Sequence, residues 1–209
     1  MALEKYKEKR NFSQTPEPTG GKKVAKKLEF VVQRHKASHL HYDFRLELDG
    51  VLKSWAVPHG PSMNPEDKRL AMMVEDHPYD YRKFKGVIPE GNYGAGIVEI
   101  WDKGYYTPIE TGGDPEKTLK AGLYSGNLKF VLHGKKLKGE FVLVKIKNDT
   151  EKGNSWLLIK HRDKYSVSTP YNSEELTDLH SPINTFLREN KNTARGKKKR
   201  PFRLSSKNP

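Results

Sequence analysis

In the run His41-Tyr42-Asp43-Phe44-Arg45-Leu46-Glu47 polar and apolar residues alternate. At the two-residue period of a β-strand, His41, Asp43, Arg45 and Glu47 share one face, and Tyr42, Phe44, Leu46 and Leu48 share the other. The apolar face suits a core. The opposite face sets imidazole, carboxylate and guanidinium side by side, a row that costs free energy unless it holds something charged. His35, six residues upstream, meets that face if Lys36-Ala37-Ser38-His39 turns the chain back. Two imidazoles and a carboxylate bind a divalent metal and leave coordination positions for water or substrate. The competing account is a solvated strand face plus one ordinary histidine, because short His-x-Asp patterns also arise by accident. Arg45 points the same way as Asp43. It can grip phosphate oxygens in a bidentate fork, or it can form a structural ion pair with Glu47 or Glu75.

Val74-Glu75-Asp76-His77-Pro78-Tyr79-Asp80-Tyr81 holds a second cluster of titratable groups. A histidine with an ordinary pKa near ~6.5 can donate to a phosphoryl oxygen or protonate a leaving group. His77 has such a role only if the fold brings it near His41; otherwise it is a loop residue. Ile88-Pro89-Glu90-Gly91-Asn92-Tyr93-Gly94-Ala95-Gly96 is glycine-rich but matches neither G-x-G-x-x-G nor a P-loop. It reads as a tight turn that permits close backbone approach. Glu47-Leu48-Asp49-Gly50 resembles the lysine-x-Asp-Gly nucleophile motif of nucleic acid ligases, but glutamate stands where the lysine belongs, which excludes adenylylation from this site.

The elements that must position these groups are short strands. β-signals run over Leu28 to His35, Leu40 to Leu48, Val51 to Val57, Arg69 to Glu75, Gly96 to Trp101, Leu128 to Leu132, Glu140 to Ile146 and Trp156 to His161. Asp49-Gly50 is a tight hairpin turn, and Gly134 to Gly139 reads as another. The expected fold is mainly β, an antiparallel closed or nearly closed β-barrel with a few short flanking helices, since closure removes exposed strand edges. A short basic helix is expected within residues 4–12, broken by Thr15-Pro16-Glu17-Pro18. Another starts at Asp114-Pro115 and runs toward Gly122. A third starts at Ser173, with Pro182 limiting its length.

The chain has 209 residues and a formal net charge of +13. Residues 1–27 carry eight Lys/Arg against three Glu, and residues 188–209 carry nine against one, while 28–187 balances twenty-two against twenty-two. The expected organisation is therefore a basic N-terminal arm (1–27), which the sequence leaves free to be disordered, a β-barrel domain (28–187) and a basic disordered tail (188–209). Two cationic arms suit a polyanion, because each phosphate they neutralise releases a condensed counterion; a solvated tail that aids solubility fits the same charge. There is no cysteine, which excludes disulfides, Cys₄ zinc sites and thiol catalysis. The N-terminus has no apolar segment of the secretory kind, and no apolar run approaches the ~18 residues of a membrane span. A cytoplasmic protein without a membrane partner is expected.

Five blocks in consistent order resemble the 3′-phosphoesterase domain of bacterial DNA ligase D, which also occurs free-standing in archaea and bacteria. They are Arg34 to Glu47, Lys53-Ser54-Trp55-Ala56-Val57-Pro58, Val74-Glu75-Asp76-His77-Pro78, Ile88-Pro89-Glu90-Gly91 and Trp156-Leu157-Leu158-Ile159-Lys160. The likeness runs from about Lys9 to Asp163. It implies a central β-barrel and a Mn²⁺-dependent activity, with other divalent transition metals able to substitute. The implied activity removes a 3′-terminal ribonucleoside from a primer strand, then the remaining 3′-phosphate, leaving a 3′-OH. On the same resemblance, His35, His41 and Asp43 match the metal ligands, and Arg45 and His77 match residues on the scissile phosphate. Gln33, Glu75 and Tyr81 match supporting positions, and Arg10 and Glu17 match positions in the arm. Relatives commonly have Asp where this chain has Asn11. The implied substrates are primer-template 3′ ends bearing a ribonucleotide or a phosphate. With no ligase or polymerase segment in the chain, the expected partners are a separate ligase, a primase-like polymerase and a Ku-type end binder.

Two other classes share some of these features. A non-haem Fe(II) oxygenase uses His-x-Asp and a distant histidine on a β-barrel, a role that His133 would fill beside His41 and Asp43. A non-catalytic nucleic-acid-binding barrel would rely on basic residues and stacked aromatics, and would tolerate loss of His41.

Overall fold

A computed structural model describes residues 3–22, 27–147 and 153–194, with side chains through 190. The stretch from 195 onward, which holds most of the expected basic tail, lies outside the described residues. In chain order the elements are α1 (Glu4–Glu8), β1 (Leu28–Lys36), β2 (Leu40–Leu48), β3 (Val51–Val57), β4 (Arg69–Met73), β5 (His77–Pro78), a 3₁₀ turn (Tyr79–Lys83) and β6 (Gly86–Ile88). There follow β7 (Gly96–Pro108), α2 (Pro115–Ser125), β8 (Asn127–His133), β9 (Lys138–Lys145), β10 (Ser155–Lys160), a second 3₁₀ turn (Ser173–Leu176) and α3 (Pro182–Ala194).

The strands pair antiparallel in the order β1-β2-β3-β4-β10-β9-β8-β7, and β7 returns to β1 to close the ring. The fold is therefore a closed eight-stranded antiparallel barrel, as expected. Alternation along β2 does what its sequence requires: Tyr42, Phe44, Leu46 and Leu48 are buried in the main core with Phe30, Val32, Trp55, Phe130 and Phe141. Phe130 links two parallel-ring contacts, at 5.9 Å to Phe44 and 6.3 Å to Phe141. Burying each such ring contributes about 1.5–3 kcal/mol. Asp49 (φ 58) and Gly50 (φ 72) form the tight turn between β2 and β3, the paired positive φ values that a twisted hairpin needs. Asp114 caps α2 by accepting from the Glu116 and Lys117 amides, and Gly126 ends it at φ 75.

A second, smaller cluster of Tyr6, Leu52, Tyr81, Phe84, Ile88 and Val98 lies on the outside of the wall. Leu52 and Val98 belong to barrel strands; the others come from α1, the Tyr79–Lys83 turn and the β6 region, which form a cover over β1, β2 and β3. The N-terminal arm is thus docked, not free: Tyr6 is fully buried, and its hydroxyl donates to Pro18 O at 2.7 Å. The basic helix is shorter than expected, Glu4–Glu8, because Asn11 folds the next residues into a turn by accepting from Ser13 N (3.2 Å) and Ser13 Oγ (2.7 Å).

The C-terminal segment departs from expectation. Ser173 begins only one 3₁₀ turn, and Pro182 starts α3 instead of ending a helix. Proline is well suited to a first helical turn, where no amide needs an internal partner. This segment docks at one end of the barrel through Arg34, whose side chain is fully buried. It donates to Glu99 Oε1 (2.8 Å), Glu174 Oε1 (2.9 Å) and Asn184 Oδ1 (2.9 Å). Tyr42 donates to Glu174, and Trp101 Nε1 to Ser173 O.

Closure brings backbones close at glycines of β7. At Gly104, where β7 lies between β1 and β8, a Cβ would sit 2.2 Å from His133 O and 3.0 Å from the Phe30 ring. Gly104→Ala should destabilise the fold by about 1–3 kcal/mol, the usual cost of overpacking a well-filled site. Urea denaturation should show a lower midpoint with an unchanged slope; an unmoved midpoint would mean that β7 and β8 can separate there without cost.

A candidate metal and phosphate site on the outer wall

The outward face of β2 carries His41, Asp43, Arg45 and Glu47, and pairing with β1 sets His35 directly opposite His41 and Gln33 opposite Asp43. The turn expected at residues 36–39 therefore forms and brings His35 to that face. One ligand atom from each of His35, His41 and Asp43 lies within 4.8 Å of the others. His35 Nδ1 is 3.6 Å from Asp43 Oδ2, and His41 Nε2 is 3.6 Å from Asp43 Oδ1.

The remaining ring nitrogens face backbone carbonyls, His35 Nε2 at 2.9 Å from Gly94 O and His41 Nδ1 at 3.0 Å from His39 O. A carbonyl only accepts, so in the neutral rings these nitrogens carry the hydrogens. Lone pairs on His35 Nδ1 and His41 Nε2 are then turned toward the Asp43 carboxylate. Such an arrangement suits a cation, and carbonyl partners of this kind fix the tautomer and orientation of metal-binding histidines. The donor set fits a divalent transition metal.

Arg45 lies against this triad. Its Nε donates to Gln33 Oε1 at 2.7 Å and its Nη2 to Asp43 Oδ2 at 2.9 Å. Its Nη1 is buried without a hydrogen-bond partner. Gln33 is held in turn, since its amide donates to Tyr81 O (3.0 Å) and Phe84 O (2.8 Å). Burial works against the charge of Asp43, but the Arg45 guanidinium beside it outweighs burial and holds the carboxyl well below the usual carboxylate range. Glu75, raised earlier as a partner for Arg45, instead accepts from Lys9 (3.0 Å) and Arg10 (3.1 Å).

The arm supplies the other half of the site. Arg10 donates to Glu17 Oε1 (2.8 Å) and Glu75 Oε1 (3.1 Å), packs 3.9 Å over the Tyr6 ring, and brings Nη2 within 3.2 Å of His77 Nε2. Tyr81 donates to Glu17 Oε1 at 2.9 Å, and its ring lies beneath Arg45 at 4.8 Å. His77 Nδ1 lies 2.9 Å from Glu75 O. A hydrogen on Nδ1 leaves Nε2 to accept from Arg10, so both ring nitrogens are engaged. Burial, with Arg45 and Arg10 nearby, pushes the His77 pKa well down and keeps the ring neutral.

His35, His41, Asp43, Arg45, Glu75, His77, Tyr81 and Arg10 line one cleft of about 290 Å³. Gln33 and Glu17 sit behind them as supports. Sequence reading did not single out three contributors: Tyr6 under Arg10, Lys9 on Glu75, and the Tyr93-Gly94 pair, whose carbonyl orients His35 and whose half-exposed ring lies 4.6 Å from the Lys9 ammonium. The glycine-rich turn was a signal for Tyr93-Gly94 alone. His133 is elsewhere: it stacks on Tyr105 at 4.3 Å, and Tyr105 pairs with Glu29, six residues down β1 from His35. At ~3.3 Å per residue that is about 20 Å away, so an oxygenase triad of His41, Asp43 and His133 does not assemble.

The strand-borne part of this site, from Gln33 to Gly94, falls within a stretch that matches a known family, and Arg10 and Glu17 of the arm precede it. Residues 33–145 match the DNA Ligase D 3′-phosphoesterase domain family. The chain is 51% identical over 164 residues to the multifunctional non-homologous end joining protein LigD of Pseudomonas aeruginosa, covering 77% of this chain and 19% of the relative. Its counterpart in Mycolicibacterium smegmatis is 40% identical over 164 residues (78% and 21%), and the LigD DNA repair protein of Mycobacterium tuberculosis is 42% identical over 149 (70% and 19%). The chain thus spans about a fifth of the length of these relatives, and it belongs to the DNA ligase D 3′-phosphoesterase domain family.

Proposed function

We propose that the protein is a Mn²⁺-dependent 3′-phosphoesterase that heals DNA ends. It removes a 3′-terminal ribonucleoside by phosphodiester cleavage and then the 3′-phosphate, leaving a hydroxyl for end joining. The observation that carries this reading is the convergence in one cleft of a two-histidine, one-carboxylate triad and a buried Arg45 Nη1 that lacks a partner. A cation site and an unmet hydrogen-bond donor side by side suit a phosphate. His35, His41 and Asp43 would hold the metal, which when bound supplies Lewis acidity and lowers the pKa of water.

The chain's own groups account for the rest. Gln33 and Asp43 fix two prongs of the Arg45 guanidinium, so Nη1 is presented without the entropy cost of a free side chain. Arg10, clamped by Glu17 and Glu75, offers a second cation through Nη2. His77 aims that Nη2 and stands beside it at the phosphate. Preorganised donors in a water-poor cleft stabilise charge that develops on phosphoryl oxygens, and removing one of them typically costs ~10²–10³ in rate. The relatives' names place them in non-homologous end joining, which supports the same setting for this chain. There it would act on primer-template 3′ ends beside ligase, polymerase and Ku-type end-binding activities.

The direct test incubates the purified protein with Mn²⁺ and a duplex primer ending in one ribonucleotide. A 3′-phosphate product followed by a 3′-OH product is expected; an unchanged primer at every divalent metal tried would overturn the proposal.

His41→Ala and Asp43→Ala should each abolish both steps, leave the circular dichroism spectrum unchanged and weaken Mn²⁺ binding measured by calorimetry at least tenfold. Full activity in either variant would remove the metal assignment. Arg45 offers Nη1 to the proposed phosphate position and reaches the metal position only through Asp43. Arg45→Ala should therefore keep Mn²⁺ binding while the single-turnover rate falls ~10²–10³. Arg45→Lys should recover only part of that, because lysine keeps the charge without the planar fork. Unimpaired turnover in the lysine variant would reduce Arg45 to a simple charge.

A further inference from the structure

Residues 28–187 balance twenty-two cations against twenty-two anions, yet the charges are not evenly placed in space. Many of the acids are drawn into internal pairings. Asp43 and Glu75 face arginines in the cleft, Glu99 and Glu174 hold Arg34, and Asp163 holds the buried Lys160. Asp102 is buried and accepts from the backbone amides of Lys135, Lys136 and Leu137. An excess of unpaired lysine is left on the surface, and part of it gathers on one face.

That face is the outer wall of β1, β7, β8 and β9, at the far end of β1 from His35. Strand register sets Glu29, Tyr105, His133 and Lys138 in one row across the four strands, with Lys103 two residues along β7 from Tyr105. Lys27, Glu29, Arg82, Lys83, Lys103 and Tyr105 border one groove of about 540 Å³. Lys27 sits 4.2 Å over the Tyr105 ring, whose stacking on His133 makes a rigid base beneath it. Lys27, Lys83, Lys103, Lys135 and Lys138 are exposed and have no ion-pair partner among the described residues. The acids at the margins are engaged, Asp80 with Arg82 at 3.1 Å and Asp163 with Lys160 among them. Glu29 takes Arg82 at 2.9 Å and the Tyr79 hydroxyl, and Glu140 faces His161 at 3.7 Å.

We propose that this face binds the sugar–phosphate backbone of the DNA whose 3′ end lies in the cleft, with Lys27, Lys83 and Lys103 as the principal phosphate contacts. The inference rests on the reading of the cleft as a 3′-end site. Charge complementarity argues for a backbone ligand: the face offers several point charges, the Arg82 fork is spent on Glu29 and Asp80, and Tyr105 is covered by His133 and Lys27. Such a surface gives sequence-independent binding and fixes position along the strand. The six residues of β1 between His35 and Glu29 span about 20 Å. At ~3.4 Å per nucleotide along a strand, contact falls about six nucleotides inside the 3′ end.

The test compares the full chain with Lys83→Gln/Lys103→Gln and with a control of equal net charge, Lys68→Gln/Lys164→Gln, at the ends of β4 and β10. Binding of a fluorescent primer-template duplex is followed by anisotropy over a KCl series, and the strands are footprinted with hydroxyl radicals. Each lost phosphate contact lowers the slope of log affinity against log salt by ~0.9. The Lys83/Lys103 variant should therefore lose about 1.8 from the slope and lose protection about six nucleotides inside the 3′ end. The control should keep both, and single-turnover rates at saturating DNA should match in all three proteins. Slopes equal to that of the parent, or losses as large in the control, would overturn the proposal. A parent that cleaves no substrate would remove the phosphoesterase reading, while the slope and footprint would still decide whether this face binds DNA.

Discussion

The two-residue period of β2 is the constraint from which the rest of the structure follows. A strand that places Tyr42, Phe44, Leu46 and Leu48 in the barrel core must present His41, Asp43, Arg45 and Glu47 on the opposite side. The site is consequently on the outside of the barrel wall, not in its mouth. An outer wall faces water, and water would weaken the electrostatics that such a site needs. A second layer is therefore required. The docked arm, the Tyr79–Lys83 turn and β6 supply it, burying Asp43, Arg45 and His77 to between 2 and 8% exposure.

That layering explains what was legible in the sequence. Barrel strands announce themselves because burial on one face imposes alternation, and all eight in the ring were visible, with the Asp49-Gly50 turn and the Asp114 cap. The cover was not. β5 and β6 have two and three residues, too short for any period to show, and β7 continues to Pro108 past the expected end at Trp101. Tyr6 lies in a run of charges with no apolar neighbour pattern, yet it is among the most buried side chains because Arg10, His77 and Tyr81 close around it. Pro182 was ambiguous for a different reason. A proline suits both the stop of one helix and the first turn of the next, and only the Arg34 anchor of the C-terminal segment decides between them.

Site residues divide along the same line. His35, His41, Asp43 and Arg45 follow from strand register, which the sequence encodes locally. Arg10, Glu17, Glu75 and Tyr81 form a network between segments up to 65 residues apart, and no spacing rule announces it; for Arg10 and Glu17 the family resemblance was the only guide. Asn11, where the resemblance leads one to expect Asp, accepts from Ser13 through its side chain and from Gln14 N through its carbonyl. An amide serves that turn as well as a carboxylate does, so the arm reaches its docked position without the charge.

The cleft is also balanced before anything binds. Lys9, Arg10 and Arg45 stand against Glu17, Asp43 and Glu75, three cations and three anions joined by direct hydrogen bonds. An anion entering alone would leave an uncompensated charge in a poorly hydrated space, and so would a divalent cation entering alone. A phosphate and a divalent cation together change the total least. The pairing that holds Asp43 ionised also keeps one prong of Arg45 occupied and one free, so the same guanidinium can stabilise the ligand set and meet the incoming phosphate without moving.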